Sequence, residues 1–393
     1  MSEVTITRSV RMPDPFRIER FLSNPKFGPR LLFFSGGTAL NGVAQYLKRY
    51  THNSSHLVTP FDSGGSSQGL RLAFNMPAIG DLRSRMMALA DETVLGHPDV
   101  FRLFTNRFAK DGRTADLSAQ LEAMIAGSHP LVAAIEQPMR MLIQNQLGMF
   151  HAARPKSFEL RGASIGNLIL AGGYLNQNQQ LEPIVFLVSK LVGVQGTVRA
   201  VADENLHLGA ELENGDFVIG QHLLTAKEQP PLVSPIKDLF LSSSLVSNDP
   251  TVATFPKRNR KLVQSADLVC YAPGSFYSSL IANLLPEGVG QSIASRTVPK
   301  VYVPSLGVDP ETAGMDLFDQ VQTLLKYLRR DTGSSCPTCQ LLNFVVADEN
   351  VPADVIEKIS ALGVSILKLD LVSPTSRPYY DPKPLCEALV SLT

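Results

Sequence analysis

Short apolar runs, each followed by glycine or serine, recur along this chain of 393 residues. The first run covers residues 31–34 and leads into residues 35–38, and the second covers residues 56–61 and leads into residues 62–69. Uninterrupted apolar runs of this length are typical of parallel strands that are buried on both faces. Between them, apolar side chains recur at helical spacing over residues 39–50. The pattern therefore predicts a strand, a helix and a second, parallel strand.

The same alternation returns in the second half of the chain. Apolar runs at residues 267–272, 300–303, 341–346 and 364–369 predict further buried strands with helices between them. Residues from about 92 to 150 depart from the alternation, because their apolar side chains lie three to four positions apart over a long stretch. That spacing predicts a helical insertion.

A second departure covers residues from about 197 to 225. Apolar and polar side chains alternate there around the pair Asn214-Gly215, which predicts a β-hairpin insertion. The Pro- and Ser-rich residues 230–256 predict a loop. The whole pattern predicts an α/β fold with a doubly wound, mostly parallel sheet.

Composition and charge narrow the class of protein. The chain is 44% apolar, and no low-complexity linker divides it. We therefore expect residues 1–27 to form an irregular N-terminal arm and residues 28–393 to form a single domain. The 36 basic and 36 acidic residues balance, which argues against a nucleic acid or a membrane as partner. Without a long apolar run, a secretory layout or a disulfide framework, the sequence predicts a cytoplasmic protein.

Three small-residue turns follow buried strands and, in a parallel sheet, reach the same edge. Glycine lets a backbone N–H group approach an oxyanion closely, and a following helix adds partial positive charge at its N-terminus. Such turns can also be purely structural, but three on one edge predict a site for a nucleotide or a nucleotide diphosphate ester. The predicted phosphate-binding residues of the turns are Ser35, Gly36, Gly37, Thr38, Gly64, Gly65, Ser66, Ser67, Pro273, Gly274 and Ser275.

Charged and amide side chains near the turns extend the predicted site. Asp62 is the predicted Mg²⁺ ligand and, with Asp81, a predicted catalytic residue, because carboxylates hold Mg²⁺ beside a diphosphate. Arg71 and Arg83 are predicted to clamp phosphate, and Asn167 to offer its amide to a base or phosphate. Structural alternatives stay open, since Asp62 can cap a turn, Asp81 can cap a helix and the arginines can be solvated.

Other cofactors are not expected. The first turn lacks the GxGxxG spacing, and the chain lacks the Gly-Lys-Ser/Thr of a P-loop, which disfavours NAD and P-loop chemistry. Cys336 and Cys339 form a lone CxxC without a second ligand pair, so we expect a surface loop and no structural zinc. No haem is expected either.

Four blocks of sequence resemble the superfamily of 2-phospho-L-lactate transferase (CofD) and the YvcK-type gluconeogenesis factors. The resemblance implies a Rossmann-like fold with a ligand site at the edge of the sheet. Within the superfamily, the sequence of these blocks is most similar to the CofD-like component of the GAK gene system. The blocks are SGGTALNGVAQYLKRY at 35–50, DSGGSSQGLRLAFNMPAIGDLRSRMMALAD at 62–91, FELRGASIGNLILAG at 158–172 and ADLVCYAPGSFYSSLIANLLPEGV at 266–289.

The resemblance implies two candidate functions. The transferase branch moves a phospholactyl group from a guanosine diphosphate ester to a hydroxyl with Mg²⁺, whereas the YvcK-type branch binds UDP-sugars without an established reaction. We expect a Mg²⁺-dependent phospho-group transferase, with a non-catalytic UDP-sugar-binding regulator of central metabolism or the cell envelope as the alternative. Ser63 stands where the relatives carry a second Asp, which puts the metal site in doubt. Residues 92–150 resemble neither branch and are the candidate for a different acceptor site or for the surface that binds a second copy or a protein partner.

Overall fold

The computed structural model describes residues 9–93, 95–225, 230–348 and 350–393. Seven parallel strands form the main sheet, in the order β10-β9-β8-β7-β1-β2-β3, and three antiparallel strands form a small sheet, in the order β5-β4-β6. The predicted α/β fold with a mostly parallel sheet is confirmed. The strands are β1 Leu31–Ser35, β2 Ser55–Val58, β3 Thr197–Ala200, β4 His207–Leu212, β5 Phe217–Ile219, β6 Ile236–Ser242, β7 Leu268–Tyr271, β8 Lys300–Tyr302, β9 Phe344–Ala347 and β10 Ser365–Lys368.

Helices cover both faces of the main sheet and build the insertion. Short 3₁₀ turns also occur, and residues Phe276–Leu280 form a π-helical turn after β7. The α-helices are α1 Pro15–Ser23, α2 Asn41–Leu47, α3 Gly65–Phe74, α4 Gly80–Ala88, α5 Pro98–Thr105, α6 Thr114–Ala126, α7 Pro130–Ala133, α8 Met139–Ala153, α9 Ile165–Asn176, α10 Leu181–Leu191, α11 Gln221–Leu224, α12 Lys257–Ser265, α13 Val289–Ala294, α14 Leu317–Thr332, α15 Ala353–Ala361 and α16 Pro382–Ser391.

Strand β1 shows why its sequence is apolar throughout. Leu31 and Phe33 pack into a cluster with side chains of α2 and α16, whereas Leu32 and Phe34 pack into a cluster with side chains of α14. Successive side chains of a strand point to opposite faces, so a strand that is covered on both faces needs apolar residues at every position.

The helical insertion is present as α5, α6, α7 and α8. These helices pack with α9 and α10 around a third apolar cluster, in which α8 packs along α9. The apolar stripe predicted between residues 92 and 150 is therefore core. Pro98 and Pro130 stand in the first turns of α5 and α7, where their missing N–H groups cost no hydrogen bond.

The predicted hairpin forms from β4 and β5 around Asn214-Gly215, with Gly215 at a φ of 89°. Two details of the prediction are wrong. Residues Thr197–Ala200 are the edge strand of the main sheet, and the predicted loop at 230–256 contains β6, which pairs with β4. The alternation of apolar and polar side chains in β6 is short and is flanked by Pro and Ser. Its pairing with β4 is therefore what identifies this segment as a strand.

The N-terminal arm is not irregular over the part that the structure describes. Residues Pro15–Ser23 form α1, and the side chain of Asp14 accepts hydrogen bonds from the N–H groups of its first turn. Asp14 N–H donates to Ser391 Oγ, which docks the arm on α16. A cap followed by Pro at the first helical position is a start signal that the sequence interpretation passed over.

Two further features bear on the sequence predictions. Among the described residues, no helix combines the length and the apolar character needed to cross a membrane. Cys336 and Cys339 lie between α14 and β9, with Cys339 exposed.

Candidate functional site

The order in which the chain adds strands to the main sheet reverses between β1 and β7. The chain runs from β1 outward through β2 and β3 on one side, and from β7 outward through β8, β9 and β10 on the other. Open α/β sheets bind ligands outside the carboxyl ends of the strands at such a reversal. The turns after β1, β2 and β7 meet there, and we number them the first, second and third turns in that order.

Three predicted side chains of the second turn region converge on one glycine. A Cβ atom placed on Gly80 would lie 2.5 Å from Ser67 Oγ, 3.6 Å from Asp62 Oδ2 and 3.9 Å from Asn167 Nδ2. Ser67 and Asn167 are buried. Because any larger residue would collide with Ser67 Oγ, glycine at this position allows the carboxylate, the hydroxyl and the amide to come together.

The two carboxylate oxygens of Asp62 make different contacts. Its Oδ1 accepts a hydrogen bond of 3.1 Å from the Gly64 N–H group, which is the turn-capping alternative considered for this residue. Its Oδ2 faces Gly80. Gly64 precedes α3, and Gly65 begins it with a φ of 53°. The carboxylate thus caps the turn with one oxygen and reaches the cluster around Gly80 with the other.

Asp81 faces the first turn from α4. Its carboxylate oxygens lie 3.8 and 3.9 Å from the position that a Cβ atom on Gly37 would occupy. Asp81 stands inside the first turn of α4, whose N-cap is Ile79, so it is not the helix cap. The first and second turns are therefore linked by neighbouring residues of one helix, since Gly80 meets Asp62 and Asp81 meets Gly37.

Arg85 binds the backbone of the first turn, and the sequence did not predict it as a site residue. Its Nη2 group donates to the carbonyl oxygens of Gly36 and Gly37, at 3.1 and 3.2 Å. Among the described residues, its Nε and Nη1 atoms have no hydrogen-bond partner, although the side chain is fully buried. Burial lowers the pKa of Arg85 to about 10, while the negative charge of Asp81 acts in the opposite direction. The spacing of Asp81 and Arg85, one helical turn apart, was the available signal.

Arg71 has a structural role in place of the predicted phosphate contact. Its guanidinium donates to the carbonyl oxygens of Phe61, Asp62 and Leu206 and to Oδ1 of Asn205. These bonds use all five of its N–H groups, so none is left for a ligand. Burial lowers the pKa of Arg71 to about 10, and the nearby Asp62 opposes that effect. Arg71 fixes the end of β2 against the loop before β4.

Arg83 lies between the site and the helical insertion. Its Nη1 group donates to the carbonyl oxygen of Phe104 at 3.1 Å. Burial lowers the pKa of Arg83 to about 10, the positive charge of Arg107 lowers it further, and Asp81 raises it. The pKa of Arg83 therefore depends on the opposite charge of Asp81 in the site and on the like charge of Arg107 in the insertion.

Three backbone N–H groups of the third turn, at Phe276, Tyr277 and Ser278, donate to carboxylates of the chain itself. Asp309 Oδ2 accepts from Phe276 N–H at 2.7 Å, and Glu311 Oε2 accepts from the N–H groups of Tyr277 and Ser278, each at 2.8 Å. Glu311 Oε1 also accepts from Ser278 Oγ. Burial, reinforced by Asp309, raises the pKa of Glu311 to about 7. The chain thus supplies its own carboxylates to the three N–H groups that lie directly after the predicted phosphate-binding residues Pro273, Gly274 and Ser275.

The third turn also touches the first turn. A Cβ atom on Gly36 would lie 2.5 Å from Ser279 Oγ, so the two turns are in close contact. Pro273 and the exposed Thr38 line a cavity of about 430 Å³ that reaches the C-terminal segment. Ser35 ends β1, and its buried hydroxyl makes no hydrogen bond within the described residues.

Ser63, which stands where the relatives carry a second acid, is tied to the small sheet. Its hydroxyl lies 2.8 Å from His222 Nδ1 and accepts a hydrogen bond of 3.0 Å from the His222 N–H group. His222 belongs to α11, directly after β5. Ser66 lies in α3 beside these residues, and its side chain lies outside the described part of the chain. Position 63 therefore anchors the hairpin to the second turn.

The fold and this site define a Rossmann-like α/β protein with a candidate ligand site at the reversal point of a parallel sheet. The profile of the family described as 2-phospho-L-lactate transferase CofD matches residues 31–378, and the chain belongs to this family.

Individual relatives agree with that membership. The chain is 25% identical over 362 residues to the gluconeogenesis factor of Bacillus subtilis (strain 168), which covers 88% of this chain and 92% of that protein. It is 26% identical over 354 residues to the gluconeogenesis factor of Listeria innocua, covering 88% and 89%. A crystal structure of a member of the UPF0052 family from Bacillus halodurans has the same fold, with a TM-score of 0.66 and 22% identity, over 92% of this chain and 99% of that one.

Proposed function

We propose that this protein binds a nucleotide diphosphate or a nucleotide diphosphate ester and transfers a phospho group from it to an acceptor hydroxyl. The convergence of Asp62, Ser67 and Asn167 on Gly80, with Asp81 beside Gly37, carries the proposal. A carboxylate pair, a hydroxyl and an amide beside glycine-rich turns suit a ligand that has phosphate oxygens and a metal ion. The family to which the chain belongs supports the same class of chemistry.

The side chains present fit Mg²⁺. Among the described residues no group of three or more His, Cys, Asp or Glu side chains could hold a metal ion by itself. Mg²⁺ is commonly bound by one or two carboxylates together with substrate phosphates, so Asp62 is a sufficient protein contribution. When bound, the ion would neutralise charge that develops on the phosphate oxygens. Ser63 has no carboxylate to add, and its hydroxyl is engaged with His222.

The remaining residues would orient the reactants. The acceptor oxygen would attack the distal phosphorus, the bond from that phosphorus to the bridging oxygen would break, and the nucleoside monophosphate would leave. Asp81 would accept the proton of the acceptor hydroxyl. Ser67 and the Asn167 amide would donate to the phosphate oxygens, which is stabilisation by preorganised dipoles in a partly buried site. Arg85 would keep Gly36 and Gly37 in place while this happens.

The competing function is a non-catalytic sensor that binds a nucleotide sugar and acts through a protein partner. The relatives named gluconeogenesis factors favour it, because that name describes an effect on metabolism and no reaction. Both functions use the same residues at the first and second turns. Turnover is the property that separates them.

A thermal shift assay tests the binding step that both functions share. GDP and UDP-N-acetylglucosamine are each added with and without Mg²⁺, and a ligand at about 100 times its Kd adds about 2.7 kcal/mol of stability. Absence of a shift with either nucleotide would overturn both functions.

The variant Asp62→Asn tests the metal site, with Asp354→Asn in exposed α15 as the matched control. We expect Asp62→Asn to lose the Mg²⁺-dependent part of the shift and the release of nucleoside monophosphate, while Asp354→Asn behaves as wild type. A Mg²⁺ response that survives Asp62→Asn unchanged refutes the assignment of Asp62. Nucleotide binding without turnover, across a panel of acceptor hydroxyls, supports the sensor.

A further inference from the structure

A second cavity, of about 730 Å³, lies beside the second turn on the side of the helical insertion. One wall is the start of α3 at Gly65 and Gly69, and the opposite wall carries Arg107, Lys110 and Arg161. A Cβ atom on Gly65 would meet nothing within 4 Å, so the first residue of α3 faces open space. The cavity therefore joins the predicted phosphate site to a group of basic side chains.

The backbone that carries Arg107 is fixed by pairing with the segment before α9. Phe108 N–H donates to the carbonyl oxygen of Ala163 at 3.0 Å, and Ile165 N–H donates to that of Asn106 at 3.1 Å. Arg107 lies within this pairing, and its Nη1 group donates to the Gly162 carbonyl oxygen at 3.2 Å. The bond uses one of five guanidinium N–H groups, so the others remain available on the cavity side.

The electrostatics of this wall favour an anion. Arg107 is close enough to Arg83 to lower the pKa of Arg83, so two like charges stand together at the boundary between the site and the insertion. Arg161 is paired with Glu159, which is the one acidic side chain lining this cavity. An anion bound at Arg107 in the cavity would offset the repulsion between Arg107 and Arg83.

The floor of the cavity is apolar. Phe158 lines it and packs against Phe74 in a tilted arrangement and against Phe150 edge to face, at ring-centroid distances of 6.3 and 5.3 Å. Leu168, buried beside Asn167, completes the floor. An apolar floor under a cationic wall suits a ligand with a ring or aliphatic body and a negatively charged end.

We propose that this cavity binds the second substrate, and that the second substrate is an anion whose carboxylate or phosphate contacts Arg107 and Lys110 while its apolar body lies on Phe158. The inference rests on the proposed transferase function, because it places the acceptor hydroxyl next to the second turn. It goes further by naming the class of acceptor. Such an acceptor would approach Asp81 and the Gly80 cluster from the side of the insertion.

Phenyl phosphate, phenol and inorganic phosphate are the probes, measured by isothermal titration calorimetry. We expect phenyl phosphate to bind more tightly than phenol or inorganic phosphate, and its affinity to fall as salt is added. The double variant Arg107→Gln/Lys110→Gln should weaken phenyl phosphate binding by roughly 3- to 30-fold, since an exposed charge pair contributes about 0.2–1 kcal/mol and a partly desolvated one more. Arg113→Gln, in the same insertion but 84% exposed and paired with Asp116, is the matched control and should bind as wild type.

The outcomes separate this inference from the proposed function. Equal phenyl phosphate affinity in wild type and the double variant, or tighter binding of phenol, overturns the anion site. The GDP thermal shift is measured on the same double variant and should be unchanged, because Arg107 and Lys110 lie outside the first and second turns. A nucleotide shift without an anion site rejects the inference alone. An anion site without any nucleotide shift rejects the proposed function and the acceptor role.

Discussion

Glu311 offers the sharpest test of how the third turn is built. Its side chain is 4% exposed, and its oxygens accept from the N–H groups of Tyr277 and Ser278 and from Ser278 Oγ. Burial and the neighbouring Asp309 nevertheless raise the pKa of Glu311 from 4.5 to about 7. The folded protein therefore binds a proton at this residue more tightly than the unfolded chain does.

The sign of the effect on stability follows directly. A group whose pKa is higher in the folded state stabilises the fold fully below its unfolded pKa, and that stabilisation is lost as the pH rises through the folded value. For Glu311 the window runs from 4.5 to about 7. The difference corresponds to roughly 3 kcal/mol. Above neutral pH, the wild-type protein must hold a buried carboxylate, whereas Glu311→Gln holds a neutral amide of the same shape.

Urea denaturation at about pH 4 and about pH 8 measures the free energy of unfolding of both proteins. We expect Glu311→Gln to match wild type at the lower pH and to be more stable by roughly 3 kcal/mol at the higher pH. Glu357→Gln, at an exposed position of α15, is the matched control and should show no such pH dependence. A stability difference between Glu311→Gln and wild type that does not change with pH refutes the reasoning.

Two further substitutions test the packing of the site. Gly80→Ala places a Cβ atom 2.5 Å from Ser67 Oγ, so we expect a loss of roughly 1–3 kcal/mol in the free energy of unfolding together with weaker nucleotide binding, and Gly80→Ala/Ser67→Gly should regain the stability. If Gly80→Ala has wild-type stability, the close approach is not real. Arg85→Met leaves the carbonyl oxygens of Gly36 and Gly37 without their donor, and urea denaturation should show a loss of about 1–3 kcal/mol per buried group. A loss no larger than that of the exposed control Arg102→Met contradicts the supporting role of Arg85.

Local signals predicted the parts of the site that lie within one segment. Asp62 follows an apolar run and precedes glycine, and the turn that it caps spans two residues. The contacts of Arg85 and Glu311 span much longer separations, of 48 and 49 residues to the first turn and 33 and 34 residues to the third. No local pattern encodes such contacts, so Arg71 was assigned to phosphate although its N–H groups serve backbone carbonyls.

Apolar periodicity and the positions of glycine were enough to predict the class of fold and the glycine-rich turns. The periodicity of apolar side chains depends only on which faces of an element are buried. The strands β1, β2 and β7 are buried on both faces, and their own residues are accordingly mainly apolar. Tertiary contacts show which N–H groups of these turns the chain itself satisfies. The third turn resembles the other two in sequence, but Asp309 and Glu311 arrive from beyond β8 and accept from its N–H groups at Phe276, Tyr277 and Ser278. A backbone donor can serve a ligand only where the rest of the chain has not already satisfied it.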